Sequence, residues 1–308
     1  MTTWTRAGAV AAAAGLPLIF DLDGVVVDVR ASYRQAYVAG VAWYLRDRLG
    51  RAVAAEGTFT VADVALLKQH PGFNAPRDVV ALCLRASLVA AQRSSGHLDV
   101  ATCAVQTWLT AALRGGQLDR GADALFSGLD PATQAAVRAQ EDVNDALQRC
   151  HEAYVGSAAC QRVYGFAPRG AWPGLCAGDR LLLAVDRPAC RRPVAVYSGR
   201  TRGEIAHLFE RLPFFAGVEP ARVHSADDTG AKPDPRPLSA LIEALAAGGA
   251  VYFGDTPADR QTVVALRRQR ADLRCLFAQV DVDGSVGRWP EADFYAGQPG
   301  AILDRLEA

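Results

Sequence analysis

Four short apolar runs stand out along the chain, each closed by turn residues: Leu18–Phe20, Val194–Tyr197, Ala250–Phe253 and Arg274–Phe277. They are largely continuous rather than alternating, and most are rich in Val, Ile or aromatic residues. That pattern predicts strands of a parallel sheet covered on both faces. Between the later runs the period becomes helical, over Arg202–Leu212, Arg236–Ala247 and Pro257–Arg270. The last of these opens on Thr256-Pro257, an N-cap followed by proline at the first helical position. Strand–helix alternation of this kind predicts a doubly wound, Rossmann-like α/β domain with right-handed crossovers. In such sheets the functional site lies at the carboxyl ends of the strands.

Residues 32–165 read differently. Strand-like runs are scarce and helical periodicity dominates, as in Val61, Val64, Ala65 and Lys68, or Val100 through Leu113. Gly and polar breaks fall near Gly50–Gly57, His70–Pro76, Arg93–Gly96, Gly115–Gly121 and Ser127–Pro131. The pattern predicts an all-helical domain of residues 32–165 inserted after the first strand. The α/β core is then made of residues 1–31 and 166–308.

Composition narrows the field. The 308 residues carry 33 Lys+Arg against 33 Asp+Glu, so the formal charge is zero. That balance argues against a protein built mainly to neutralise nucleic-acid phosphates. No apolar run reaches the roughly 18 residues of a membrane span. The Ala-rich stretch 7–20 runs straight into Asp21 and reads as a short segment plus a buried strand, Leu16–Phe20, rather than a signal peptide. The seven cysteines are odd in number and show no C-x-x-C spacing, which fits buried thiols in a reducing cytoplasm. Only Lys68 and Lys232 are lysines, against 31 arginines. In a chain that has drifted so far toward Arg and Ala, a retained lysine points to a place Arg does not fill.

Four short motifs carry candidate chemistry. Asp21 and Asp23 follow the first strand, and Gly24 permits a tight turn after them. Like charges so close call for a cation, and oxygen ligands suit Mg2+. An acidic turn after a strand would give the same letters. Ser198 and Gly199 end the second strand, where a hydroxyl and backbone N–H groups are placed to bind phosphate oxygens. A helix N-cap serine is the alternative there. Lys232 sits ahead of Pro233-Asp234-Pro235, which fixes its loop. Asp255 ends the third strand and Asp259 follows one helical turn later, so both can face one ion. Acidic residues also suit a helix N-terminus on their own account. Three of the four motifs directly follow predicted buried strands, and their convergence is the stronger signal.

The set DLDGV at 21–25, YSGR at 197–200, KPDP at 232–235 and GDTPAD at 254–259 resembles the four signature motifs of the haloacid dehalogenase (HAD) superfamily. The helical insertion resembles the cap of subfamily I, and Ser32-Tyr33-Arg34, Gly72-Phe73-Asn74 and Tyr154-Val155-Gly156-Ser157 resemble a branch of subfamily IA. The resemblance implies that Asp21 is the nucleophile and forms an aspartyl-phosphate. It implies that Asp23 is general acid and then base, and that Ser198, Gly199 and Lys232 bind the phosphoryl group. Asp21, Asp23 through its carbonyl and Asp255 would hold Mg2+, with Asp259 supporting directly or through water. The acid at Asp23 resembles phosphatases and phosphomutases rather than dehalogenases. The resemblance therefore implies a Mg2+-dependent phosphomonoester hydrolase acting on a small phosphorylated metabolite. The alternatives are a phosphomutase similar to β-phosphoglucomutase, and a non-catalytic binding protein of the same fold. The cap is longer than is common, and residues 94–130 read as an insertion.

Phe73, Asn74 and Arg77 lie in a Gly/Pro-rich break and are candidates for a specificity loop in the cap; a plain helix connection fits equally. Arg200 is a candidate for binding a second anionic group of the substrate, although in so arginine-rich a chain a solvated surface role is more economical. The chain holds no G-x-x-x-x-G-K-[ST], G-x-S-x-G or G-x-G-x-x-G, so nucleotide-loop and serine-hydrolase chemistry find no support.

Overall fold

The computed structural model describes residues 3–68, 73, 75–93, 97–103, 105, 126 and 128–307. The chain divides into two compact units, residues 1–29 with 180–308, and residues 30–179.

The first unit is the α/β part. Its strands are β1 (Trp4–Thr5), β2 (Leu18–Phe20), β3 (Val27–Asp28), β4 (Arg180–Leu181), β5 (Val194–Tyr197), β6 (Val223–His224), β7 (Gly249–Gly254), β8 (Arg274–Val280) and β9 (Phe294–Ala296). Seven of them form one sheet in the order β1-β9-β8-β7-β2-β5-β6, and β3 and β4 pair separately. In the large sheet only the β1–β9 pair is antiparallel. The order reverses around β2, so the switch point lies beside the Asp21 motif.

Side-chain alternation explains why the strands read as continuous apolar runs. Leu18, Phe20, Val194, Val196, Val251 and Phe253 enter one core with Leu208, Ile302 and Leu303. Ile19, Ala195, Tyr197, Ala250, Tyr252 and Phe277 enter another with Leu238, Ile242, Val263 and Leu266. Helices Arg202–Phe209 and Pro299–Glu307 thus cover one face, and Arg236–Ala244 and Pro257–Gln269 the other. Each fully buried aliphatic or Phe side chain contributes roughly 1.5–3 kcal/mol, which fixes the strand ends in register. The predicted helices end one to three residues early, at Phe209, Ala244 and Gln269.

The second unit is helical among its described residues: Ser32–Leu49, Val61–Leu67, Pro76–Arg93, Val100–Cys103, Pro131–Gln140, Val143–Val155 and Ser157–Tyr164, with a 3-10 turn at Leu175–Gly178. Helix Ser32–Leu49 packs closely on Val143–Val155 at Gly40, where a Cβ would overlap Cys150. The boundary expected at 165 lies at 179 instead. The buried Glu152 accepts the amides of Arg169 and Gly170. Ser157 N–H donates to the Trp172 carbonyl, and Tyr154 O–H donates to Asp179 at 2.8 Å, with Ser32 Oγ on its other oxygen. The segment 166–179 is therefore tied to the helices by polar contacts, which leave no periodic trace in sequence. Most of 94–130 lies outside the described residues. Among the described residues no helix is long and apolar enough to cross a membrane.

Candidate active site

The site is built at the carboxyl ends of β2, β5 and β7. Phe20 is level with Val196 on β5 and Phe253 on β7, so the residues that follow these strands emerge side by side. The Asp21 amide still donates to the Phe253 carbonyl at 2.9 Å. After it the chain turns tightly: Gly24 N–H donates to the Val27 carbonyl at 2.8 Å. Gly24 has φ 76°, and a Cβ there would overlap the Asp255 carboxylate. The glycine is thus required both by its backbone conformation and by the close approach of Asp255.

Lys232 is the electrostatic centre. Its Nζ lies 2.8 Å from Asp21 Oδ2 and 2.7 Å from Asp259 Oδ1, and its side chain is only 11% exposed. The rings of Tyr197 and Tyr252 lie 5.1 and 5.7 Å from the ammonium, within cation–π range. Burial opposes its charge, but the two carboxylates outweigh burial and hold its pKa above the ordinary value. Asp21 is pushed up to about 7, chiefly by burial and against the pull of Lys232. Asp255 is pushed well above the usual carboxylate range, by burial first and then by the charges of Asp259 and Asp21. For Asp259 burial acts upward, yet Lys232, Thr256 and Tyr252 outweigh it and keep the group below its ordinary value.

The carboxylates differ in what their oxygens already do. Asp259 Oδ1 accepts from Tyr252 O–H at 2.5 Å as well as from Lys232. Its Oδ2 accepts from the amides of Asp255 and Thr256 and from Thr256 Oγ1. Thr256 returns the bond to the Asp259 amide, a capping box that starts helix Pro257–Gln269. Asp255 is the opposite case: its Oδ1 is buried and has no hydrogen-bond partner among the described residues. Asp21, Asp255 and Asp259 each offer an oxygen within 4.8 Å of the others. Of these, Asp255 has the vacant lone pairs, and a hard divalent cation suits such an oxygen. The residues present therefore fit Mg2+.

No family model and no curated protein sequence matches the chain. Solved structures do. A phosphatase from Thermococcus thioreducens superimposes with a TM-score of 0.55 at 21% identity, over 94% of this chain and 99% of that one. A structural genomics target, ZR25, gives 0.55 at 16% identity, over 86% and 90%. A HAD-superfamily hydrolase of subfamily IA from Geobacter sulfurreducens gives 0.44 at 16% identity, over 96% and 97%. The chain shares the fold of the Thermococcus thioreducens phosphatase, a mostly parallel α/β sheet with flanking helices.

On that fold Asp21, Lys232, Asp255 and Asp259 come together. For Asp259 the expectation is support of the metal directly or through water; five donors already reach its oxygens, which favours the route through water. Asp23 sits at the rim, with its side chain 40% exposed. Ser198 is buried, and its amide donates to the His224 carbonyl at 3.0 Å. Gly199 is exposed, and a Cβ there would meet open space.

The expected surface position of Arg200 is wrong: it is buried and paired with Asp23. Phe73 is fully buried in the helical unit rather than displayed in a specificity loop. Arg77 is exposed, and its guanidinium donates to Asn144. Asn74 lies outside the described residues. Sequence reasoning missed Tyr197 and Tyr252. A phenol inside an otherwise apolar strand needs a polar partner; Tyr197 opens the YSGR motif and Tyr252 stands two residues before GDTPAD.

Proposed function

We propose that the protein is a Mg2+-dependent phosphomonoester hydrolase of the HAD superfamily, acting on a small phosphorylated metabolite through an aspartyl-phosphate. The observation that carries this reading is the buried Asp255 Oδ1, without a hydrogen-bond partner among the described residues, beside an aspartate gripped by a buried lysine. A buried anionic oxygen without a donor is costly, and a divalent cation removes the cost. The charges agree. Around the proposed ion Asp21, Asp255 and Asp259 face Lys232, which leaves two formal negative charges for the ion to balance. Asp21, Asp255 and the Asp23 carbonyl are the proposed ligands. When bound, the ion supplies positive charge beside the phosphoryl oxygens.

The protein's own groups then divide the work. An Asp21 oxygen attacks phosphorus, a new P–O bond forms, and the ester P–O bond breaks. Asp23 gives its proton to the departing alkoxide. It then takes a proton from the water that attacks the phosphoenzyme, which frees phosphate and restores Asp21. Lys232 and Ser198 hold phosphoryl oxygens, and the rate gain comes mainly from positioning and charge. The odd number of cysteines and the lack of C-x-x-C spacing support a reducing, cytoplasmic location. The test is p-nitrophenyl phosphate hydrolysis with Mg2+ or with EDTA. Mg2+-dependent turnover that is lost in Asp21→Asn is expected. Equal rates for the two proteins reject the reading.

A further inference from the structure

Arg200 leaves β5 two residues after Ser198, and its side chain is 4% exposed. Its Nε donates to Asp23 Oδ1 at 2.6 Å, a charge-assisted bond at the short end of the range. Arginine rarely surrenders its hydration unless an anion compensates. The backbone beneath it is pinned on both sides. The Arg200 amide donates to Ser198 Oγ at 3.3 Å, and its carbonyl accepts the Ala226 amide at 2.8 Å. A rigid, buried cation is thus aimed at a carboxylate that is itself part-exposed. Asp23 Oδ1 is committed to this pair, and the side chain as a whole is 40% exposed.

We infer that Arg200 is a positioning residue for Asp23: it fixes the carboxylate through Oδ1 and so presents Oδ2 to the leaving oxygen and later to water. The inference rests on the phosphatase reading above and adds how its acid–base group is held. The proton moves from Asp23 Oδ2 to the leaving oxygen as the ester bond breaks, so the effect of Arg200 must scale with how much the leaving group needs that proton.

The experiment compares phenyl phosphate with 2,4-dinitrophenyl phosphate under Mg2+, for wild type, Arg200→Met, Asp23→Asn and the double variant. Misplacing a reacting group by about 1 Å costs on the order of 100-fold. Arg200→Met is expected to lower kcat/KM for phenyl phosphate by about that factor. For the dinitrophenyl ester, whose leaving group needs no proton, the loss should stay within about 3-fold. In the Asp23→Asn background the arginine change should cost nothing further. Equal losses on both esters, or a full added loss in the double variant, would overturn the inference. If Arg200→Met does not fold, Arg200→Lys takes its place, because the planar fork is not reproduced by an ammonium. A wild type that hydrolyses neither ester defeats the phosphatase reading alone. The pair is then judged by a double-mutant cycle of urea midpoints: coupled shifts support it and additive shifts overturn it.

Discussion

Replacing Lys232 with methionine removes the ammonium from between two buried carboxylates while keeping an unbranched side chain. Asp21 and Asp259 lie 2.8 and 2.7 Å from Nζ in the wild type. Breaking one side of a buried ion pair costs about 3–5 kcal/mol. The loss depends on pH, and the sign follows from Asp21. Its folded pKa is raised to about 7 from 3.8, so between these values the folded metal-free protein holds a proton that the unfolded chain has lost. Stability therefore falls as pH rises through that window, by on the order of 4 kcal/mol for three pKa units. At pH 5 the wild-type Asp21 is already protonated, and only the Asp259 pairing is lost with the lysine. At pH 8.5 both carboxylates lose the cation that pairs with them. The deficit of Lys232→Met should thus be about 3–5 kcal/mol at pH 8.5 and about half that at pH 5. The assay is urea unfolding in EDTA at both pH values. It is followed by amide exchange in β2 and β7, which reports the α/β unit alone. A deficit under about 1 kcal/mol at pH 8.5, or a larger one at pH 5, would refute the placement of the lysine charge.

Two further perturbations probe the other side of the site. Asp255→Asn removes the oxygen without a partner: metal-free stability should stay within about 1 kcal/mol of wild type or rise, while the melting-temperature gain on adding Mg2+ disappears. An unchanged Mg2+ gain, read by differential scanning fluorimetry, would contradict the ligand role of Asp255. Gly24→Ala drives a Cβ into the Asp255 carboxylate at a backbone angle of 76°. It should cost more than about 1 kcal/mol in stability and weaken Mg2+ binding by calorimetry, and Mg2+ affinity equal to wild type would show that the close approach is dispensable.

Much of this architecture was legible because parallel strands buried on both faces leave continuous apolar runs. Val194–Tyr197 matches its predicted bounds, and the run at Ala250–Phe253 is longer by one residue at each end. Val223–His224 and Phe294–Ala296 escaped notice because runs of two or three residues carry no period. The segment 166–179 was assigned to the wrong unit for a related reason: hydrogen bonds to Glu152 and Asp179 hold it, and such bonds have no spacing in sequence. At the site, residue types and order pointed to Asp21, Lys232, Asp255 and Asp259. They could not tell which carboxylate keeps a vacant oxygen. That depends on Tyr252 and Thr256 saturating Asp259 while nothing among the described residues reaches Asp255 Oδ1. Arg200 was misread because burial of one arginine among 31 is set by the position of Asp23 in three dimensions.

The central claim is that Asp21 forms a covalent bond to phosphorus. The most direct measurement is acid-quenched, rapid-mixing mass spectrometry of the wild type with p-nitrophenyl phosphate and Mg2+, with the modified peptide mapped. The account predicts a transient, hydroxylamine-sensitive phosphoryl group on residue 21, absent in Asp21→Asn and in EDTA. Mg2+-dependent phosphate release with no such adduct, or with the phosphoryl group on another residue, would contradict it.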